Sequence, residues 1–157
     1  MDLPQFQLHA ELEEHHWWFR ARRVILRTVL QILLHGTESP LIIDVGCGTG
    51  GNTADLARDY RCIGIDPIPE AIESAQSRFA GIDFRKGYAP EDIAEIADAD
   101  AMLLMDVLEH IDDDFLFIST LLHTMKPGAL LVMMAPADLS LWSVHDKGFD
   151  HFRRYDT

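Results

Sequence analysis

The chain has 157 residues, 48% of them apolar and 25% charged. That is one domain of ordinary globular composition, which excludes the disordered and collagen-like classes. Thirteen basic residues stand against 26 acidic ones, a formal charge of −13, so duplex DNA or long RNA is a poor partner and a cationic ligand is a good one.

No apolar run approaches the roughly 20 residues of a bilayer span. The start, MDLPQFQLHAELEEHH, is acidic and unlike a secretory signal. Cys47 and Cys62 are too few for a disulfide scaffold or a zinc site and read as reduced thiols in a cytoplasmic protein. From the first stretch to about His35, Ile25, Leu26, Val29, Leu30 and Leu33 recur at helical spacing, and the Gly36–Pro40 segment ends that helix. Five apolar strand candidates follow: Leu41–Val45, Arg61–Ile65, Ile82–Arg85, Asp100–Met105 and Ala129–Ala135. Most are apolar throughout, as expected of strands covered on both faces. Between them, Ile68, Ile72, Ala75 and Phe79 mark one helix, which Gly81 stops, and Phe115, Ile118, Leu122 and Met125 mark another. Strand alternating with helix predicts an α/β fold, a doubly wound, mostly parallel Rossmann-like sheet with ligands at the carboxyl ends of its strands.

The first strand runs into Gly46-Cys47-Gly48-Thr49-Gly50-Gly51. Glycines there permit a tight turn and close approach of a ligand to the backbone. Gly46, Gly48 and Gly51 also satisfy the dinucleotide pattern, so a nicotinamide cofactor competes with others. Asp44 separates them. A carboxylate at a strand tip is badly placed beside a pyrophosphate and well placed beside the ammonium and sulfonium of S-adenosylmethionine. Its structural alternative is a cap on loop amides. Asp66, twenty residues past Gly46, suits the two hydroxyls of an adenosine ribose, or the cap of the helix entered through Pro67 and Pro69.

IIDVGCGTGG (42–51), GIDP (64–67), LLMDVLEHI (103–111) and MKPGALLVMMAP (125–136) together resemble the class I S-adenosylmethionine-dependent methyltransferases, from about Pro40 to the chain end. HHWWFRARRVI (15–25) and LWSVHDKGFDHFRRYD (141–156) resemble a bacterial or archaeal small-molecule subgroup. The resemblance implies that Asp44, Gly46, Gly48 and Gly50 line the methionine end of the cofactor and that Asp66 binds the ribose. Pro67 or Ile68 would flank the adenine, and Met105 and Asp106 would pass beneath the methionine moiety. The family usually places an acid after the third strand; here Tyr88 stands there, so Tyr88, Ala89 or the later Glu91 and Asp92 would meet the adenine.

Methyl transfer needs a base only for a protonated acceptor. Candidates are His110 and His145, then His16 and His151, with Asp106 behind them, and each histidine has a structural reading as a hydrogen-bonded side chain. His145, Asp146, Asp150 and His151 do not demand a metal by their spacing, and none is expected. Trp17, Trp18 and Phe19 read either as an apolar lid or as packing of the first helix on the sheet. Arg22 or Arg23 is placed to reach a cofactor carboxylate, and Arg153-Arg154-Tyr155 is either an anion site or a solvated patch. The expected organisation is one domain, with a helical cap at 1–36, a cofactor core at 40–136 and a substrate-side loop at 137–157. The family sheet continues past its fifth strand, whereas this chain stops at Thr157, which reads as a helix cap. That leaves an apolar edge strand able to pair with a second copy. The expected function is methylation of a small-molecule acceptor. The alternatives are a non-catalytic cofactor-binding module and, disfavoured by Asp44, an NAD(P)-dependent oxidoreductase.

Overall fold

A computed structural model describes residues 10–156. Residues 10–15 are helical, and α1 (Trp17–Leu33) follows. Then come β1 (Leu41–Val45), α2 (Gly51–Leu56), β2 (Arg61–Asp66), α3 (Pro69–Arg78) and β3 (Asp83–Lys86). The second half holds β4 (Ala101–Met105), α4 (Asp114–Thr124), β5 (Leu130–Met134) and α5 (Val144–Gly148). All five strands pair in parallel, in the order β3-β2-β1-β4-β5. The chain winds outward from β1 to β3, then returns to place β4 on the other side of β1. Loops leaving β1 and β4 therefore diverge, and the crevice between them is where such a sheet binds ligands.

Both faces of the central strands are apolar for one reason. In β1, Leu41, Ile43 and Val45 join Met102 and Leu104 of β4 in one core, which Ile93, Ile96 and Leu121 cover. The alternate residues Ile42, Ala101, Leu103 and Met105 face a second core under Leu26 and Leu30 of α1 and its C-cap Leu34. Side chains alternate along a strand, so two buried faces require an unbroken apolar run. The edge strand β3 is half-exposed and polar, while β5 is a half-buried edge with Met133 open to solvent.

The strand assignments hold to within a residue or so at their ends. The helix faces need correction. On α1 the inward stripe is Arg22, Leu26 and Leu30, continued by the C-cap Leu34 and stepping by four, whereas Ile25 and Leu33 are more than half exposed. On α4 the core residue is Leu121, with Ile118 and Phe117 beside it, while Phe115 and Leu122 face out. Helix α4 is largely apolar and so offers two stripes one residue apart, and only the sheet beneath decides between them. Asp113 caps α4, its side chain accepting from the Leu116 amide at 2.9 Å. Trp17 and Trp18 are exposed and do not pack α1 onto the sheet. Thr157 lies outside the described residues.

Candidate cofactor-binding site

The glycine loop crosses the carboxyl end of β1 with Gly46, Gly48 and Gly50 all at positive φ. Their surroundings differ. A Cβ on Gly46 would lie 2.6 Å from Val107 Cγ2, and one on Gly50 would lie 2.7 Å from Phe84 Cζ. A Cβ on Gly48 would meet nothing within 4 Å. Gly46 and Gly50 are therefore glycines for conformation and internal packing, and Gly48 turns its bare Cα to open space.

Asp66 fixes that loop. Its Oδ2 accepts from the Gly48 amide and its Oδ1 from the Ile68 amide, both at 2.9 Å. The structural reading of Asp66 thus holds in part, since it ties the β1 loop to the start of α3. Burial raises its pKa, and the two amide bonds partly offset that rise. Asp44, in β1 just before the loop, is 2% exposed, and Thr53 Oγ1 donates to its Oδ2 at 2.6 Å. It caps no loop amide. Burial pushes its carboxyl up to about 6, against the Thr53 bond and the nearby Arg22 charge.

Arg22 comes from α1 and is 4% exposed. Its Nη1 pairs with Asp106 Oδ2, its guanidinium lies 5.0 Å from the Phe19 ring centroid, and its Nε has no hydrogen-bond partner. Arg23 instead donates to the Glu13 carbonyl. Of the two arginines, Arg22 is the one that reaches the crevice. Asp106, just past β4, holds a left-handed φ of 59°, a conformation that costs energy for a residue with a side chain and recurs at functional sites. Met105 is buried at the strand's end. Past β3, Tyr88, Ala89, Glu91 and Asp92 line a cavity of about 390 Å³ with Ile111 and Phe117 from beyond β4. Asp92 Oδ2 accepts from the Tyr88 amide at 2.8 Å. Pro67 lies half-buried between these regions.

Histidines gather beyond β4. His110 and His151 meet ring edge to ring face at 4.7 Å. Burial and the neighbouring His151 lower the His110 pKa. Glu109 is fully buried, and burial pushes its carboxyl up to about 7. It does not pair with His110 by hydrogen bond. His16 is the cap of α1, accepting from the Trp18 amide. The side chain of His145 lies outside what is described. Asp146 is held by Arg154, Ser143 and His151, so it is not free to ligate. Arg153 donates to the Asp112 carbonyl and pairs with Asp114, whose Oδ2 accepts from Tyr155. The Arg153-Arg154-Tyr155 segment is a brace between the chain end and α4, and neither an open anion site nor a loose surface patch.

A family model described as a methyltransferase domain matches residues 42–128. The chain is 30% identical over 128 residues to a protein of Mycolicibacterium smegmatis assigned to the S-adenosylmethionine-dependent methyltransferases, covering 80% of this chain and 48% of that protein. The chain belongs to the class I S-adenosylmethionine-dependent methyltransferases. A ubiquinone biosynthesis O-methyltransferase of Methylobacterium nodulans is 35% identical over 98 residues, covering 59% of this chain and 39% of that protein. The sheet also superposes on a sugar N-methyltransferase of Streptoalloteichus with a TM-score of 0.71 at 17% identity, over 88% of this chain and 56% of that one. The chain spans about half the length, or less, of these curated relatives.

The residues present in this methyltransferase domain fit the cofactor's chemistry. Gly48 leaves room for a close-lying ligand, the buried hydroxyl of Thr49 has no partner, and Arg22 stands against the Asp106 carboxylate. That donor set suits a ligand with an ammonium, a carboxylate and a ribose diol. One part of the site carried no local sequence signal. Glu13, from the helical turn before α1, packs against Gly51, and Arg78 of α3 binds Glu13 Oε2 at 2.8 Å and the Thr49 carbonyl at 2.9 Å. This strap joins three segments up to 65 residues apart. Among the described residues, no helix is long and apolar enough to cross a membrane.

Proposed function

We propose that this methyltransferase domain transfers the methyl group of S-adenosylmethionine to a small-molecule acceptor. The observation that carries the reading is the pair of acids at the tips of β1 and β2 beside the one loop glycine that faces open space: Asp66 on the amide of Gly48, and Asp44, held by Thr53, in the strand that leads into the loop. Asp66 has lone pairs left for ribose hydroxyls after its two amide bonds. Asp44 and Asp106 favour a cationic ammonium, and Arg22 a carboxylate, at the methionine end. Gly46 and Gly50 shape the loop against Val107 and Phe84, Met105 underlies the methionine moiety, and Pro67, Tyr88 and Ala89 flank the adenine.

When bound, the cofactor supplies a methyl carbon already activated by its sulfonium. The chain's work is to orient and to exclude water. Arg22 holds Asp106 at the tip of β4, and the Glu13–Arg78 strap keeps the segment before α1 over the loop. The displacement requires a protein base only where the acceptor carries a proton, and His110 and His145 are the candidates for that role. We place the protein in the cytoplasm on its two free thiols. The acidic charge argues against nucleic-acid partners, and the β5 edge offers a second copy a strand to pair with.

Release of labelled methyl product from panels of hydroxyl, amine and carboxylate acceptors tests the activity. Turnover of one panel supports the reading. Cofactor binding without turnover of any acceptor would instead make the chain a non-catalytic cofactor module.

A further inference from the structure

The short turn Leu108–His110 after β4 drives Glu109 inward. The residue is 0% exposed, and neither of its carboxylate oxygens has a hydrogen-bond partner. A buried carboxylate without donors is costly, and it points to something that completes it. The chain end closes over the same place. The Phe152 amide donates to the Glu109 carbonyl at 2.7 Å, and this sets the ring of His151 against that of His110. One donor atom each from Glu109, His110 and His151 then lies within 4.8 Å of the others.

The orientation of His151 is built from behind. Its Nδ1 lies 3.2 Å from Asp146 Oδ1. Asp146 is fully buried and accepts from Arg154 Nε at 2.7 Å and Nη2 at 3.0 Å. A carboxylate so clamped keeps the proton on Nδ1 and leaves Nε2 with a free lone pair. Metal-binding histidines are oriented in this way.

We infer that Glu109, His110 and His151 form a binding site for one divalent transition-metal ion of the zinc class. Two imidazoles and a carboxylate suit zinc, iron or nickel, and discriminate against magnesium and calcium, which take oxygen sets. Three protein ligands leave a fourth position for water or for an oxygen of a bound molecule. Donor atoms in such a site stand about 3.4 Å apart, as bonds of about 2.1 Å in a tetrahedron require, so the cluster must tighten. The Glu109 carboxylate has no hydrogen-bond partner to give up in moving toward the two imidazoles. The three ligands come from segments 41 residues apart, which is why spacing along the chain gave no metal signal. The inference rests on this geometry and does not depend on the methyltransferase reading.

Zinc titration of the chelator-treated full chain, followed by calorimetry and by thermal melting, tests it. The expected result is one zinc per chain, a raised melting temperature, and no response to magnesium at the same concentration. Glu109→Gln and His151→Ala should each weaken zinc binding at least tenfold, and His110→Ala, at an exposed position, should do the same. Cobalt in place of zinc should give the visible absorption of a four-coordinate site, lost in His110→Ala. His123→Ala, on the exposed face of α4, should change nothing. Absence of stoichiometric zinc overturns the site, as does binding that survives all three ligand variants or falls equally in His123→Ala.

Discussion

Asp44 and Asp66 sit at adjacent strand tips, yet their surroundings divide their roles. Asp66 has two backbone amides and remains close to the open face of Gly48, so its replacement removes contacts to both loop and ligand. Asp66→Ala is expected to weaken S-adenosylmethionine binding by about 1–3 kcal/mol in calorimetry. Asp44 is buried, and its carboxyl rises from 3.8 to about 6. The folded state therefore holds this proton more tightly than the unfolded chain. The stability that Asp44 contributes is full below about pH 4 and is lost as pH climbs to about 6, by about 3 kcal/mol. Urea melts of the wild type and Asp44→Asn should diverge across that window, with the variant the more stable at pH 7. Cofactor affinity should move the other way. An ionised Asp44 attracts the ammonium, so wild-type binding should strengthen about tenfold from pH 5 to pH 7, and Asp44→Asn should bind weakly at both. Both acids were readable in the sequence because each ends an apolar run beside glycines or prolines. Their partners were not. Thr53 and the amide of Gly48 are set by how the loop folds back, and no spacing rule encodes that.

Elements were legible where the periodic signal was unambiguous. The five strands followed from apolar runs between turn residues, since a strand covered on both faces leaves no other pattern. Helix α4 was legible as a helix but not as a face, because nearly every position from Phe115 to Leu122 is apolar or small. The structure turns Leu121 into the core and Leu122 outward. Leu121→Ala is expected to cost about 2–5 kcal/mol in denaturant unfolding, and Leu122→Ala about 0.5 kcal/mol or less. Equal effects would contradict the observed rotation of the helix. The α1–crevice connection was half-legible. The arginine cluster stood out against an acidic chain, but only packing shows that Arg22, flanked by Leu26 on the same inward stripe, carries its charge to Asp106.

For the molecule as a whole, the strand order places the crevice beside β1, and the distribution of charge decides what enters it. Glycine spacing alone permits a dinucleotide. The acids around the loop favour a cationic nucleoside and oppose a pyrophosphate, and family membership agrees with that choice. What lay beyond reach of the sequence is distant in the chain: the Glu13–Arg78 strap, the Arg154–Asp146 brace, and the meeting of His110 with His151. Each depends on the closed fold. Calorimetry of the chain at pH 7 with demethylated S-adenosylmethionine product and, separately, with NAD tests the central claim most directly. The account predicts one-to-one binding of the adenosyl ligand, lost or weakened in Asp66→Ala, and no heat with NAD. Binding of NAD alone, or adenosyl binding indifferent to Asp66→Ala in a folded variant, would contradict it.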